Sequence, residues 1–158
     1  KCNRWSVEEE HYQKSEEAYI YALKYYNRNP DQYWVQRADT MRNIADMYCQ
    51  WARSIGDMPK KSQRIDQDKQ ERMQKGYENL INAYILYRVH SDLHGIADVL
   101  QSMGQAESYT SESSDDSRHR TRLCYYKASV DLYQHLGDAW SRYVAFSFLE
   151  ECSPSPTS

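Results

Sequence analysis

The sequence predicts an all-α fold of about six helices, paired as antiparallel hairpins and stacked as an α-solenoid. Three observations carry that prediction. Gly and Pro number only 5 and 4 in 158 residues, so long stretches run without a chain breaker, which favours helices over a many-turned β fold. Apolar and aromatic residues recur at three- and four-residue steps in one segment after another. A helical phrase also returns: Ala83-Tyr84-Ile85-Leu86-Tyr87-Arg88-Val89-His90-Ser91-Asp92 is matched by Ser129-Val130-Asp131-Leu132-Tyr133-Gln134-His135-Leu136-Gly137-Asp138, with an echo in Ala52-Arg53-Ser54-Ile55-Gly56-Asp57. Each copy ends one helix and starts another, and paired helices repeating at roughly 35–46 residues mark a solenoid.

The first helix is expected from Ser6 to about Asn27, behind a Ser6-x-x-Glu9 capping box, with Val7, Tyr12, Ala18, Tyr19, Ala22, Tyr25 and Tyr26 on its apolar positions. Pro30 and Asp31 punctuate, and a second helix from about Gln32 to Ile55 carries Trp34, Val35, Ala38, Met41, Ile44, Ala45, Tyr48, Cys49 and Ala52 before Gly56-Asp57 stops it. Residues 58–66 read as a connection. A third helix begins with the charged segment Gln67–Lys75 and runs to about Val89 through Met73, Tyr77, Leu80, Ile81, Tyr84 and Tyr87; a fourth spans Leu93 to about Tyr109 through Ile96, Val99, Leu100 and Met103. Ser111–Ser117, small and acidic, is expected to be a mobile loop. Helix five, about Arg118 to Leu136, holds Leu123, Tyr126, Val130, Leu132 and Tyr133. Helix six, about Ala139 to Glu151, holds Trp140, Tyr143, Val144, Phe146, Phe148 and Leu149. These elements make one domain over residues 1–152, with hairpins at about 6–57, 67–109 and 118–152 and a disordered tail at 153–158.

Composition narrows the function. With 40% hydrophobic and 27% charged residues the chain can bury a core, and a formal net charge of −3 gives no basic face for nucleic acid. No run approaches the ~18 apolar residues that cross a bilayer, so no membrane partner is expected. The start, Lys1-Cys2-Asn3-Arg4-Trp5, has no Met and no apolar signal segment, as in a processed product or an excised piece. Cys2, Cys49, Cys124 and Cys152 are scattered without metal-knuckle spacing, and no Asn heads an Asn-x-Ser/Thr site. Reduced thiols and a cytoplasmic address are therefore expected, whereas a Cys2–Cys152 bridge would make the protein a secreted one.

Chemistry finds little support. His90 and His94 have the i, i+4 spacing of a metal pair, but Ser91-Asp92 interrupts the helix between them and no third ligand follows at a recognisable interval. The acidic pairs and triplets, such as Glu8-Glu9-Glu10 and Glu150-Glu151, point in different directions around a helix and do not converge. Gly-rich phosphate loops, GxSxG elbows and Cys-His signatures are missing. No enzyme, metal or cofactor is expected.

Ala18, Ala22, Tyr25 and Pro30 resemble the alanine, aromatic and terminal-proline positions of the second helix of a tetratricopeptide (TPR) repeat. Met41, Ile44, Ala45 and Tyr48 resemble the first-helix positions, and Gly95, Ala97, Leu100, Met103 and Gly104 resemble a further copy. The likeness is degenerate: Ser141, Tyr143 and Glu150 stand where Gly95, Ala97 and Gly104 stood, and the spacing exceeds the family's. It implies a right-handed superhelix whose concave groove, lined by the first helix of each pair, binds a peptide or helix of another protein. With helices two, four and six as first helices, the groove candidates are Arg42, Asn43, Asp46, Asp98, Gln101, Arg142 and Tyr143. Four Trp and fifteen Tyr also exceed what three hairpins need inside, which makes Trp51 and Trp34 candidates for an additional hydrophobic contact face. The rival readings are a compact regulatory bundle that docks or forms a homodimer through exposed aromatics, and a secreted effector stapled by Cys2 and Cys152.

Overall fold

The computed structural model describes residues 4–56, 63–110 and 116–152. Among them are six α-helices and no strands: α1 (Arg4–Tyr26), α2 (Trp34–Gly56), α3 (Gln63–Val89), α4 (Leu93–Thr110), α5 (Asp116–Leu136) and α6 (Ala139–Cys152). The expected tail and most of the expected 111–117 loop lie outside the described residues, although Asp116 and Ser117 are already helical. None of these helices is long and apolar enough to cross a membrane.

Two boundaries differ from expectation. α1 begins at Arg4, so Ser6 is inside the helix and is not its N-cap. α3 begins at Gln63, so residues 63–66 belong to a helix and not to a connection.

The chain divides into two compact units, Lys1–Leu86 and Tyr87–Ser158. In the first, α2 is the inner helix. Ala38, Ala45 and Ala52, one heptad apart, are fully buried, because only a methyl fits where neighbouring backbones approach. α3 presses in closely: a Cβ added to Gly76 would lie 3.2 Å from Cys49 Sγ and 3.4 Å from the Ala45 carbonyl oxygen. On another face of α2, Ile44, Met47, Tyr48, Trp51 and Ile55 form the core, joined by Tyr12, Tyr19 and Leu23 of α1 and Ile65 of α3. Trp51 is its pivot. The Tyr12 ring stacks on it at 5.5 Å and 12°, and the Arg72 guanidinium of α3 lies 3.9 Å from its ring centre. Trp51, weighed as a candidate for an outer contact face, is 3% exposed, buried by partners from both flanking helices.

In the second unit, α5 packs against both α4 and α6. Ala97, Val130, Tyr133 and Ala145 make its core, with Leu132 beside them. Tyr126 stacks on Phe148 at 5.6 Å, and its ring lies so close to α4 that a Cβ on Gly104 would come within 2.6 Å of it.

The repeated phrase folds the same way both times. At the end of α3, Ser91 takes a left-handed φ of 56°, its N–H bonds to the Arg88 carbonyl, and the Asp92 N–H bonds to the Tyr87 carbonyl. At the end of α5, Gly137 (φ 72°) and Asp138 bond to the Gln134 and Tyr133 carbonyls. Both are Schellman closures. The aspartate that follows then caps the next helix: Asp92 Oδ1 accepts the Gly95 N–H at 3.0 Å, and Asp138 Oδ1 accepts the Ser141 N–H at 3.0 Å. The tyrosines that start the two joints, Tyr87 and Tyr133, are the largest fully buried side chains among the described residues.

Two stability changes follow. A Cβ on Gly95 would lie 2.2 Å from the Tyr87 ring, so Gly95→Ala must displace a fully packed tyrosine and is expected to destabilise by about 1–3 kcal/mol despite the better helix propensity of Ala. Ser129, fully buried, has no hydrogen-bond partner for its hydroxyl among the described residues, and Ala83 holds the equivalent place in the other copy. Ser129→Ala is expected to stabilise by about 1 kcal/mol, since it removes an unsatisfied buried hydroxyl at almost constant volume. Urea midpoints of the two variants against the parent chain measure both effects.

Candidate functional site

The first unit holds a recess between α1 and α2. Tyr12, Ser15 and Tyr19 approach from α1, and Asn43, Asp46, Met47 and Gln50 from α2, enclosing about 240 Å³. The spacing explains the convergence: both sets follow helical three- and four-residue steps, so each lies along one face of its helix. Met47 is buried, Tyr12, Ser15, Tyr19 and Asp46 are half-buried, and Asn43 and Gln50 are exposed. Tyr12 is held in place by its stack on Trp51. The Ser15 hydroxyl donates to the His11 carbonyl at 2.9 Å. On α2, burial, followed by the Asp46 charge, pushes the Cys49 thiol up to about 12, so this cysteine is an inert packing group at neutral pH. Tyr48 donates its hydroxyl to Glu16 of α1, and burial first, then that bond, raises its pKa.

The second unit holds a polar clasp. His94 Nε2 lies 2.9 Å from Asp138 Oδ2 and its Nδ1 lies 3.8 Å from Asp98 Oδ1, while the Tyr133 hydroxyl donates to Asp98. The His94 and Tyr133 rings meet edge to face at 5.4 Å. One histidine thus links α4 to the cap of α6 and to the inner tyrosine of α5. Both of its ring nitrogens face carboxylates, and the described residues contain no metal-binding cluster.

The seven sequence candidates are dispersed. Asn43 and Asp46 meet in the recess. Arg42, their neighbour on α2, is half-buried and does not line it. Asp98 is drawn into the clasp, and Gln101 is half-buried one turn along α4. Arg142 and Tyr143 lie exposed on α6. There Tyr143 (67% exposed) stands with Trp140 (74%) and Phe146 (44%) in an outward aromatic row, in which Tyr143 alone is a groove candidate of the sequence. Ala145 and Cys152 are the buried residues of α6. Sequence reasoning missed Tyr12, Ser15, Tyr19 and Gln50. Their joint role depends on the register of α1 against α2, which no local pattern specifies. Cys49, Cys124 and Cys152 are free thiols, and Cys2, the other half of the bridge considered above, lies outside the described residues.

The clasp yields a pH dependence. The Ser141 backbone N–H, then the Ser141 and His94 side chains, lower the Asp138 pKa from an ordinary 3.8 to about 2. A lowered folded-state pKa means that the contribution is complete above the unfolded value and lost as pH falls through the folded one, here between about pH 4 and pH 2. Asp138→Asn keeps a capping side chain and removes the titration. The stability difference between the parent chain and this variant, present above about pH 4, is therefore expected to vanish by about pH 2 in acid titrations of unfolding free energy.

No protein-family model matches this chain, and no curated protein or solved structure matches it.

Proposed function

We propose that the chain is a non-enzymatic, cytoplasmic protein-interaction domain, a TPR-like right-handed α-solenoid that holds a peptide or helix of a partner protein and uses no cofactor. The observation that carries this reading is the recess between α1 and α2, preformed, polar at its rim and lined by two residues, Asn43 and Asp46, that the repeat pattern assigns to a binding groove. Its walls stand on two packed helices and are braced by the Tyr12–Trp51 stack, so a bound segment meets a surface that needs little ordering. Short polar and aromatic side chains at such a surface suit backbone and side-chain recognition of an extended segment.

A second reading rests on α6. Trp140, Tyr143 and Phe146 follow one another at three-residue steps on its outward side, and exposed aromatics of this kind are favoured at contact hot spots. On this reading the chain is a docking or dimerisation bundle.

Selection of a random twelve-residue peptide display library on the immobilised chain separates the two. Peptides enriched on the parent chain and lost with Asn43→Trp, which fills the mouth of the recess from an exposed position, support recess binding. Peptides kept by Asn43→Trp and lost with Trp140→Ala/Tyr143→Ala place the contact on α6.

A further inference from the structure

We propose that α6 is where two copies of this chain meet, packed antiparallel through Trp140, Tyr143 and Phe146, with Arg142 of each copy against Glu150 of the partner subunit. This rests on the docking reading of α6 above and names its partner.

The charges of α6 carry the inference. A helix favours acids in its first turn and bases in its last, where they oppose the partial charges of its own backbone ends. α6 is built the other way round. No acid lies in its first turn, which ends with Arg142, and no base lies in its last, which holds Glu150 and Glu151. All three are exposed, and neither Arg142 nor Glu150 is held in an ion pair among the described residues. Asp138, which caps the helix, is engaged by the Ser141 N–H and by His94. A second α6 running antiparallel answers both ends. It brings the acidic last turn of one copy against the basic first turn of the other, and a two-fold axis makes the contact twice. A parallel copy would set arginine against arginine and glutamate against glutamate. The helix is thus its own complement, which is the argument for a second copy over a partner of another sequence.

Spacing lets charge and rings share one face. Trp140, Tyr143 and Phe146 follow at three-residue steps and Arg142, Phe146 and Glu150 at four-residue steps, and residues at such steps neighbour one another on a helix. The two rows cross at Phe146. With the axis there, Arg142 lies four residues before it and Glu150 four after, so each arginine meets the partner's Glu150. On the inner side Ala145 packs with Val130 and Tyr133 of α5. Aromatic side chains bury roughly 150–250 Å² each when fully covered, so at their exposures the three rings offer on the order of 400 Å² per copy and 800 Å² in a pair. With the flanking Arg142 and Glu150 the area comes near the roughly 1,000 Å² at which specific interfaces begin. The pairing is therefore weak and is read at high protein concentration.

The test is sedimentation equilibrium of the full chain over about a hundredfold range of concentration, where a monomer–dimer equilibrium is expected. Trp140→Ala/Tyr143→Ala, shown to be folded by its helical circular dichroism, is expected to remain monomeric. Arg142→Glu and Glu150→Arg, each alone, are expected to weaken the dimer about tenfold, since each sets like charges together at two symmetric contacts. Both reversals in one chain restore the opposition and the parent's affinity. Each single reversal also improves the charges of its own helix, so the thermal midpoint of the dilute monomer is expected to hold or rise while association falls, which separates the contact from folding. A chain monomeric throughout, a dimer kept by Trp140→Ala/Tyr143→Ala, or a dimer indifferent to the single reversals overturns the proposal. If the chain is monomeric yet display peptides are lost with Trp140→Ala/Tyr143→Ala, the docking reading of α6 stands with another partner. If no peptide depends on these rings either, that reading falls with the proposal.

Discussion

Tyrosine against glycine and alanine is the contact on which this structure depends. The chain has 15 tyrosines and 2 phenylalanines, and two of its buried phenol rings fit because the opposing helix carries a glycine at the contact. Gly95 faces Tyr87 and Gly104 faces Tyr126 at distances that no Cβ could occupy. Ala38, Ala45, Ala52, Ala83, Ala97, Ala106 and Ala145 are all fully buried. Packing of this kind places the ring interior close to backbone on every side and gains dispersion contacts over a broad flat surface.

A phenol brings a hydroxyl that must be satisfied once it is covered. That requirement draws acids inward: Tyr48 bonds to Glu16 and Tyr133 bonds to Asp98. Each bond joins neighbouring helices, α1 to α2 in one case and α4 to α5 in the other, so satisfying the ring also fixes the helix pair. Asp98, which the repeat pattern offers as a groove residue, is committed to this task and to His94. A residue's position on the right helix therefore does not make it a contact residue when an adjacent tyrosine needs an acceptor.

The helices and joints were legible in the sequence because they rest on local rules. Ser91-Asp92 and Gly137-Asp138 combine a left-handed closing residue with an acidic cap, and the structure builds both turns as the phrase suggests. Faces were less legible. Tyr87 is 1% exposed and Tyr21 is 76% exposed, yet both sit at helical positions with the same side chain. Periodicity sorts apolar from polar, and tyrosine is both, so it cannot say which rings lie inside. The same ambiguity hid the exposure of Trp140 and Phe146 on α6. The recess was half visible, since α2 contributed Asn43 and Asp46 to the predicted groove. The α1 wall was missing because the pairing of two helices is a long-range property.

The two joints also differ at one equivalent position. His94 and Trp140 occupy the same place, seven residues after the buried tyrosine of each joint. His94 is engaged because a second joint follows it, whose capping Asp138 reaches back to its ring at 2.9 Å. Trp140 instead leaves its indole exposed beside Tyr143, at 6.1 Å between ring centres. The copies thus differ at one equivalent position: in the first joint a histidine is engaged by a carboxylate of the second, and in the second a tryptophan is left exposed.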